Sequence, residues 1–256
     1  MAAHQDKIEF FDIPDKTGNH AWSLNPWKTR FALNYKNLPY TTKWTEYPDI
    51  ANALRDHVPP AGPEGSTTAY TSPTVKFPDG TWVMDSKKIA QALEERYPSP
   101  QYPSLHLDSP VLAKLEPLVN PGLLKKVIGI FVPSVAKRVL APVSAEYFTR
   151  TRQEAFGMSI EELERTQGDR EEVYSSQKGI RDELKQVTDL LNETKDQGPF
   201  FEGDKPTYAD FVWAGFLIFM RKADEEGFEK LLEATGDREA HVRFLEAVKP
   251  WADDSI

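Results

Sequence analysis

The chain has 256 residues, with 31 Lys plus Arg against 40 Asp plus Glu, a formal net charge of −9. That acidic balance argues against a nucleic-acid binder, which needs a basic face to displace counterions from phosphates. Hydrophobic residues at 39% and aromatics at 11% exclude global disorder, and at roughly 150 residues per domain the length fits one large domain or two ordinary ones.

In chain order, the opening stretch MAAHQDKIEFFDIPDK has neither the apolar core of a signal peptide nor the Arg/Ser-rich face of a transit peptide. Within it, Ile8–Asp12 is a short apolar run closed by Ile13-Pro14, a first strand. Asn25-Pro26 opens a helix, Asn as its cap and Pro in its first turn. This helix continues through Trp27, Arg30, Phe31, Leu33 and Asn34 and ends before Leu38-Pro39. The β-branched and aromatic Thr42–Tyr47 predicts a second strand, Pro48–His57 a short helix, and Pro59–Thr68 a loop. Thr74–Phe77 and Thr81–Met84 flank Pro78-Asp79-Gly80, a hairpin signal. Asp85-Ser86 then leads into a helix, Lys87–Arg96, with Ile89, Leu93 and Tyr97 at helical spacing. The order is β-α-β-α-β-β-α.

After Pro98 the composition changes. Pro98–Pro110 is rich in proline and serine, as a linker is, and everything beyond it reads helical. Leu112–Val139, broken at Pro121 and Pro133, stands out, as does Glu171–Thr194, whose Val173, Ile180, Leu184, Val187 and Leu191 share one face. Thr207–Arg221, Glu225–Ala234 and Arg238–Val248 follow, and the charged Met158–Arg170 reads as a mobile insertion. The most apolar stretch, Ala209 to Met220, is about twelve residues against the roughly twenty that span a bilayer. The expectation is a cytoplasmic protein with no membrane partner, an α/β module of residues 1–98 followed by an all-helical module of residues 111–256.

Cysteine is absent, which removes disulfides, thiolate metal sites and any cysteine nucleophile of the protein's own. The five histidines, His4, His20, His57, His106 and His241, form no HxxxH or HxH pair, so no metal site is expected. P-loop, GxSxG and GxGxxG signatures are missing as well. Three short segments carry the remaining information. Trp22-Ser23-Leu24-Asn25-Pro26-Trp27-Lys28-Thr29-Arg30 puts a serine ahead of a helix directly after the first strand; Ser72-Pro73 precedes the third strand; Asp85-Ser86 sits at a helix start. Capping or loop geometry explains each one alone. Their order on this scaffold asks for more.

The first module resembles the thioredoxin-like domain of cytosolic glutathione transferases. In that family the segment after the first strand carries the catalytic hydroxyl. A cis-proline before the third strand presents backbone to the cysteinyl part of glutathione, and an acid–serine pair holds the γ-glutamyl end. The resemblance places these roles on Ser23, on Ser72-Pro73 and on Asp85-Ser86. Gly203 to Asp210, GDKPTYAD, looks like the family's helix-start motif in the second module, Thr207 as N-cap and Asp210 at N3. More narrowly, the SLNPWKTR segment is similar to the fungal etherase-related, FuA-type serine class, although Asn25-Pro26 stands where many relatives place proline directly after the serine.

The chemistry implied is thiolate activation. A free thiol has a pKa near 8.5, and lowering it by about two units needs roughly 2.7 kcal/mol of preference for the anion. A hydroxyl bonded to a charged group contributes roughly 1.5–3 kcal/mol and a helix N-terminus about 0.3–1 kcal/mol, so Ser23 as donor is sufficient in size. Asn25 could add its amide or could serve as the cap. Asp85 would pair with the α-ammonium and Ser86 with the α-carboxylate of the γ-glutamyl group; His57, with Lys43 as a competitor, would take the glycine carboxylate. The electrophile pocket is expected between the modules, with Ile128, Phe131, Phe148, Trp22 and Trp27 as apolar candidates. Without cysteine, conjugation, glutathione-dependent peroxide reduction and attack on activated ethers remain, with glutathione as cosubstrate. A ligandin that sequesters polyphenols or other aromatic small molecules is the alternative, and a purely structural relative has no need of the full residue set. The resemblance also implies a homodimer.

Overall fold

A computed structural model describes residues 7–62, 69–175 and 179–255. Four strands, β1 (Ile8–Asp12), β2 (Tyr40–Trp44), β3 (Thr74–Lys76) and β4 (Trp82–Met84), form one sheet in the order β2-β1-β3-β4. β2 runs parallel to β1, and β3 and β4 follow antiparallel. Helix α1 (Leu24–Tyr35) makes the β1–β2 crossover, α2 (Ile50–Leu54) follows β2 after a 3-10 turn, and α3 (Ser86–Arg96) closes the unit. This is the thioredoxin-like arrangement that the sequence order implies.

Several boundaries differ from the sequence reading, among them the helix expected over Pro48–His57, which is Ile50–Leu54. The second strand starts at Tyr40 and stops at Trp44, because the parallel register matches Ile8 with Tyr40 and Asp12 with Trp44. Pro48 lies in the 3-10 turn Tyr47–Asp49, which takes the chain out of the sheet. Helix α1 begins earlier than Asn25: Ser23 is its N-cap, and Asn25 lies in the first turn. The loop expected over Pro59–Thr68 falls partly on residues 63–68, outside the described residues.

The second half is helical: α4 (Pro110–Pro117), α5 (Leu124–Lys126), α6 (Ile128–Ser134), α7 (Pro142–Phe156), α8 (Ile160–Gln167), α9 (Arg170–Ser175), α10 (Arg181–Asn192), α11 (Tyr208–Ala223), α12 (Phe228–Ala234) and α13 (Arg238–Val248). A wide turn, Leu118–Leu123, holds Pro121 and separates α4 from α5. The segment 158–170 is not a mobile insertion. Ser159 caps α8 by accepting from the Glu162 amide at 3.1 Å, and Ile160 and Leu163 are buried. Helix α6 crosses it so closely that a Cβ on Gly129 would stand 2.3 Å from the Gln167 carbonyl. The helix read over Glu171–Thr194 is two helices, with the Ile180 amide donating back to the Val173 carbonyl at 3.0 Å; residues 176–178 between them lie outside the described residues. Its five expected core residues are all buried.

The two halves share one core. Phe31 of α1 stacks on Phe211 of α11 at 5.4 Å. Gly215 lets the helices meet, since a Cβ there would stand 3.1 Å from the Leu24 carbonyl oxygen. The linker is irregular but pinned: the Leu105 carbonyl accepts from the Tyr208 amide at 2.8 Å. Among the described residues no single helix is long and apolar enough to cross a membrane.

Candidate active site

The chain leaves β1 at Asp12, whose carboxylate accepts from the Ile13 amide at 2.7 Å and pairs with Arg30 at 2.8 Å; both side chains are fully buried. The loop that follows is held by Asp15, bonded to Thr17 and to Lys222 of α11, and by the Trp22 indole donating to the Pro14 carbonyl at 3.3 Å. It delivers Ser23 to the start of α1 in extended backbone. Serine suits an N-cap because its oxygen can accept from a first-turn amide, yet the Ser23 side chain makes no such bond. Its half-buried hydroxyl instead lines a cleft of about 360 Å³ between the two halves.

Asn25, Ser72, Asp85 and Ser86 line the same cleft, so five of the six sequence-predicted site residues come together. The Ser72–Pro73 peptide is cis, and the Pro73 carbonyl accepts from the Asp85 amide at 3.1 Å, locking those two segments side by side. The Ser72 hydroxyl donates to the Phe11 carbonyl at 3.0 Å, which leaves this residue's contribution to its backbone. Asp85 is the N-cap of α3, and Ser86 opens the helix with a buried side chain and a first-turn amide that has no intrahelical acceptor. Helix dipole and amide together favour an anion there.

His57 is the exception. Its ring stacks on Trp82 at 4.2 Å, nearly parallel, and it does not line the cleft. Helix α2 ends at Leu54, so His57 follows it on an exposed turn beside the β4 edge. Lys43 is also off the cleft, engaged with Glu9 at 3.6 Å on the sheet. Of the apolar candidates, Trp22, Phe131 and Phe148 line the cleft; Ile128 and Trp27 pack elsewhere in the core.

The sequence reading passed over Tyr47, Tyr147 and Arg152, which also line the cleft. Tyr47 packs against Phe148 at 5.5 Å and stacks on Tyr147 at 6.3 Å. Burial pushes its phenol up to about 12, so it is neutral and can donate. The Arg152 guanidinium lies over the Phe148 ring at 4.4 Å. A signal for this wall was present: Ser144, Phe148 and Thr151 are the buried residues of α7 at i, i+4 and i+7, a spacing diluted by the charged residues between them. Chemically, the cleft has a polar wall from the sheet half, an aromatic wall from the helical half, and a hydroxyl at a helix N-terminus where the walls meet.

Comparison with known proteins gives the family. Residues 22–96 match the family model for the glutathione S-transferase N-terminal domain, and residues 113–251 match the glutathione S-transferase C-terminal domain. The glutathione S-transferase-like protein ustS of Aspergillus flavus is 33% identical, over 97% of this chain and 95% of that protein. Among solved structures, glutathione transferase GSTFuA3 of Phanerochaete chrysosporium superposes with a TM-score of 0.81 at 28% identity, covering 96% of this chain and 97% of that one. The glutathione S-transferase CsGST83044 of Ceriporiopsis subvermispora, solved in complex with glutathione, gives 0.79 at 27% identity over 95% and 98% of the two chains. With both halves matched in order and a relative aligned end to end, the chain belongs to the glutathione S-transferase family.

Proposed function

We propose that the protein binds glutathione through a thioredoxin-like domain of residues 1–98. There Ser23 activates the thiol for attack on hydrophobic electrophiles or for reduction of organic peroxides, in the disposal of aromatic or plant-derived compounds. The helical domain, residues 111–256, supplies the electrophile wall. One observation carries this reading: the Ser23 hydroxyl, at the start of α1 but not spent on capping it, faces the cleft that also holds Ser72-Pro73 and Asp85-Ser86. Glutathione bound to the Ceriporiopsis relative supports the choice of cosubstrate.

In this reading the Ser72 backbone pairs with the cysteinyl peptide, Asp85 takes the α-ammonium and Ser86 the α-carboxylate. Ser23 Oγ donates to the sulfur, stabilising the thiolate without becoming a nucleophile. Asn25, exposed in the first turn and lining the cleft, adds its amide in this reading. The glycine carboxylate has no assigned partner, because His57 and Lys43 lie off the cleft. A homodimer and a cytoplasmic location belong to the same reading.

The test is the ultraviolet thiolate absorbance of glutathione titrated with the protein across neutral pH. The expected result is a thiolate signal that persists below pH 7 and disappears in Ser23→Ala, with turnover falling by about 10- to 100-fold, the equivalent of roughly 1.5–3 kcal/mol. Binding with an unshifted thiol would make the protein a ligandin for aromatic molecules. That second reading has its own support in the aromatic wall of Tyr47, Phe131, Tyr147 and Phe148.

A further inference from the structure

Two lysines are buried along one stretch, Lys28 within α1 and Lys36 at its C-cap, and their surroundings differ. Lys36, 1% exposed, donates its ammonium to the Tyr97 and Pro103 carbonyls, each at 2.8 Å, and pairs with Glu94 at 2.6 Å. Lys28, 9% exposed, has no hydrogen-bond or ion-pair partner among the described residues. The Lys28 stem is buried, but its ammonium is not among the buried unpartnered atoms of the described residues, so the charge reaches accessible space, as the tip of a long side chain often does.

That space adjoins the candidate site. Lys28 lines a recess of about 260 Å³ together with Asn25, Asp85, Ser86, Glu116 and Asn120. Asn25, Asp85 and Ser86 also line the main cleft, so the recess continues it past the start of α3. The charges facing Lys28 are Asp85 and Glu116, which favour its protonated form, and Lys87, which opposes it. Glu116 is engaged by Lys87 at 2.5 Å. Burial pulls the amine down to about 8, so it is mostly charged at neutral pH. An anion entering the recess would therefore meet a charged donor in the space that Ser86 and the first turn of α3 also line.

We infer that Lys28 is the cation that recognises the α-carboxylate at the γ-glutamyl end of the thiol substrate, making the site selective for a free amino-acid head group. The ammonium of that head group pairs with Asp85, and its carboxylate is shared between Ser86 and Lys28. Lys28 is then a specificity-determining residue remote from the sulfur. The inference rests on the glutathione reading above and extends it by one residue and one selectivity.

The experiment uses the full chain and two thiol-free probes, so that titration of the sulfur does not intervene: S-methylglutathione, and its analogue lacking only the α-carboxylate (S-methyl-γ-aminobutyryl-cysteinylglycine). Calorimetry is expected to show the wild type binding the first at least about 10-fold tighter than the second. Lys28→Met should bind both alike within about 2-fold, and Lys28→Arg should restore part of the preference. A Lys28→Met variant that discriminates as well as the wild type overturns the inference. Should that variant not fold, Lys28→Gln takes its place with the same readout, and a wild type that binds the two probes alike overturns the inference by itself. A wild type that binds neither probe removes the glutathione reading itself, an outcome distinct from glutathione binding without Lys28.

Discussion

At φ +89° Asp85 occupies backbone space that side chains rarely enter, and its Oδ1 accepts from the Lys87 and Lys88 amides at 2.9 and 3.1 Å. One carboxylate thus caps α3 while presenting a negative charge to the cleft. The two duties separate by substitution. Asp85→Asn keeps an oxygen for the cap and a side chain tolerant of positive φ, so thermal stability should change little. Asp85→Ala loses the cap and should cost about 1–2 kcal/mol. Both remove the charge proposed to face the α-ammonium, so both should raise KM for glutathione by about 10-fold or more, a charge-assisted bond being worth roughly 1.5–3 kcal/mol. Denaturation curves and glutathione saturation kinetics on the pair check this. Equal KM for Asp85→Asn and wild type would remove Asp85 from the ammonium site.

At the scale of an element, β1 and α1 are joined by the fully buried Asp12–Arg30 pair, with Arg30 also reaching the Tyr40 hydroxyl at 3.3 Å and lying over the Phe10 ring at 5.0 Å. Such a pair stabilises little in net terms but is expensive to break, because the partner left behind is a charge out of water. Arg30→Met should cost about 3–5 kcal/mol in urea denaturation, and Asp12→Ala combined with Arg30→Met should recover part of the loss. This pair was not legible in the sequence: Asp12 and Arg30 are eighteen positions apart, and only the register of β1 against α1 brings them together. What was legible depended on local chemistry. The Pro78-Asp79-Gly80 turn, the cap at Asp85 and the Thr207–Asp210 helix start, with the Asp210 carboxylate accepting from the Thr207 amide at 2.7 Å, are all encoded within a few residues. The site was half legible for the same reason. Ser23, Pro73 and Asp85 lie at element starts, whereas Tyr147 and Arg152 depend on how α7 docks against the sheet half, and Lys28 lies inside a helix whose C-cap lysine is fully partnered.

For the whole molecule, α11 links the site to the helical core. Its Gly215 seats Leu24, its Phe219 lines the cleft, and its Trp213 indole donates to His241 Nδ1 at 3.0 Å. With Nδ1 accepting, His241 Nε2 carries the proton and donates to Thr188 Oγ1 at 2.9 Å, a neutral ring held at both ends and fully buried. Burial pulls it down to about 4 from an ordinary 6.5. Between those values the unfolded chain binds a proton that the native state refuses. Stability from this group is therefore complete above pH 6.5 and is lost as pH falls toward 4, by about 3 kcal/mol. Asp210 works in the opposite sense: burial pushes its carboxyl up to about 7, so native protein takes a proton before the unfolded chain does and gains stability as pH falls through the same window. The wild-type profile sums the two and by itself identifies neither. The difference between wild type and His241→Gln isolates the histidine, since Asp210 is common to both. The wild-type advantage in urea stability should shrink by about 3 kcal/mol from pH 7 to pH 4. A constant difference over that range would mean the native ring takes up its proton at the same pH as the unfolded chain, which the Trp213 indole donating to Nδ1 opposes.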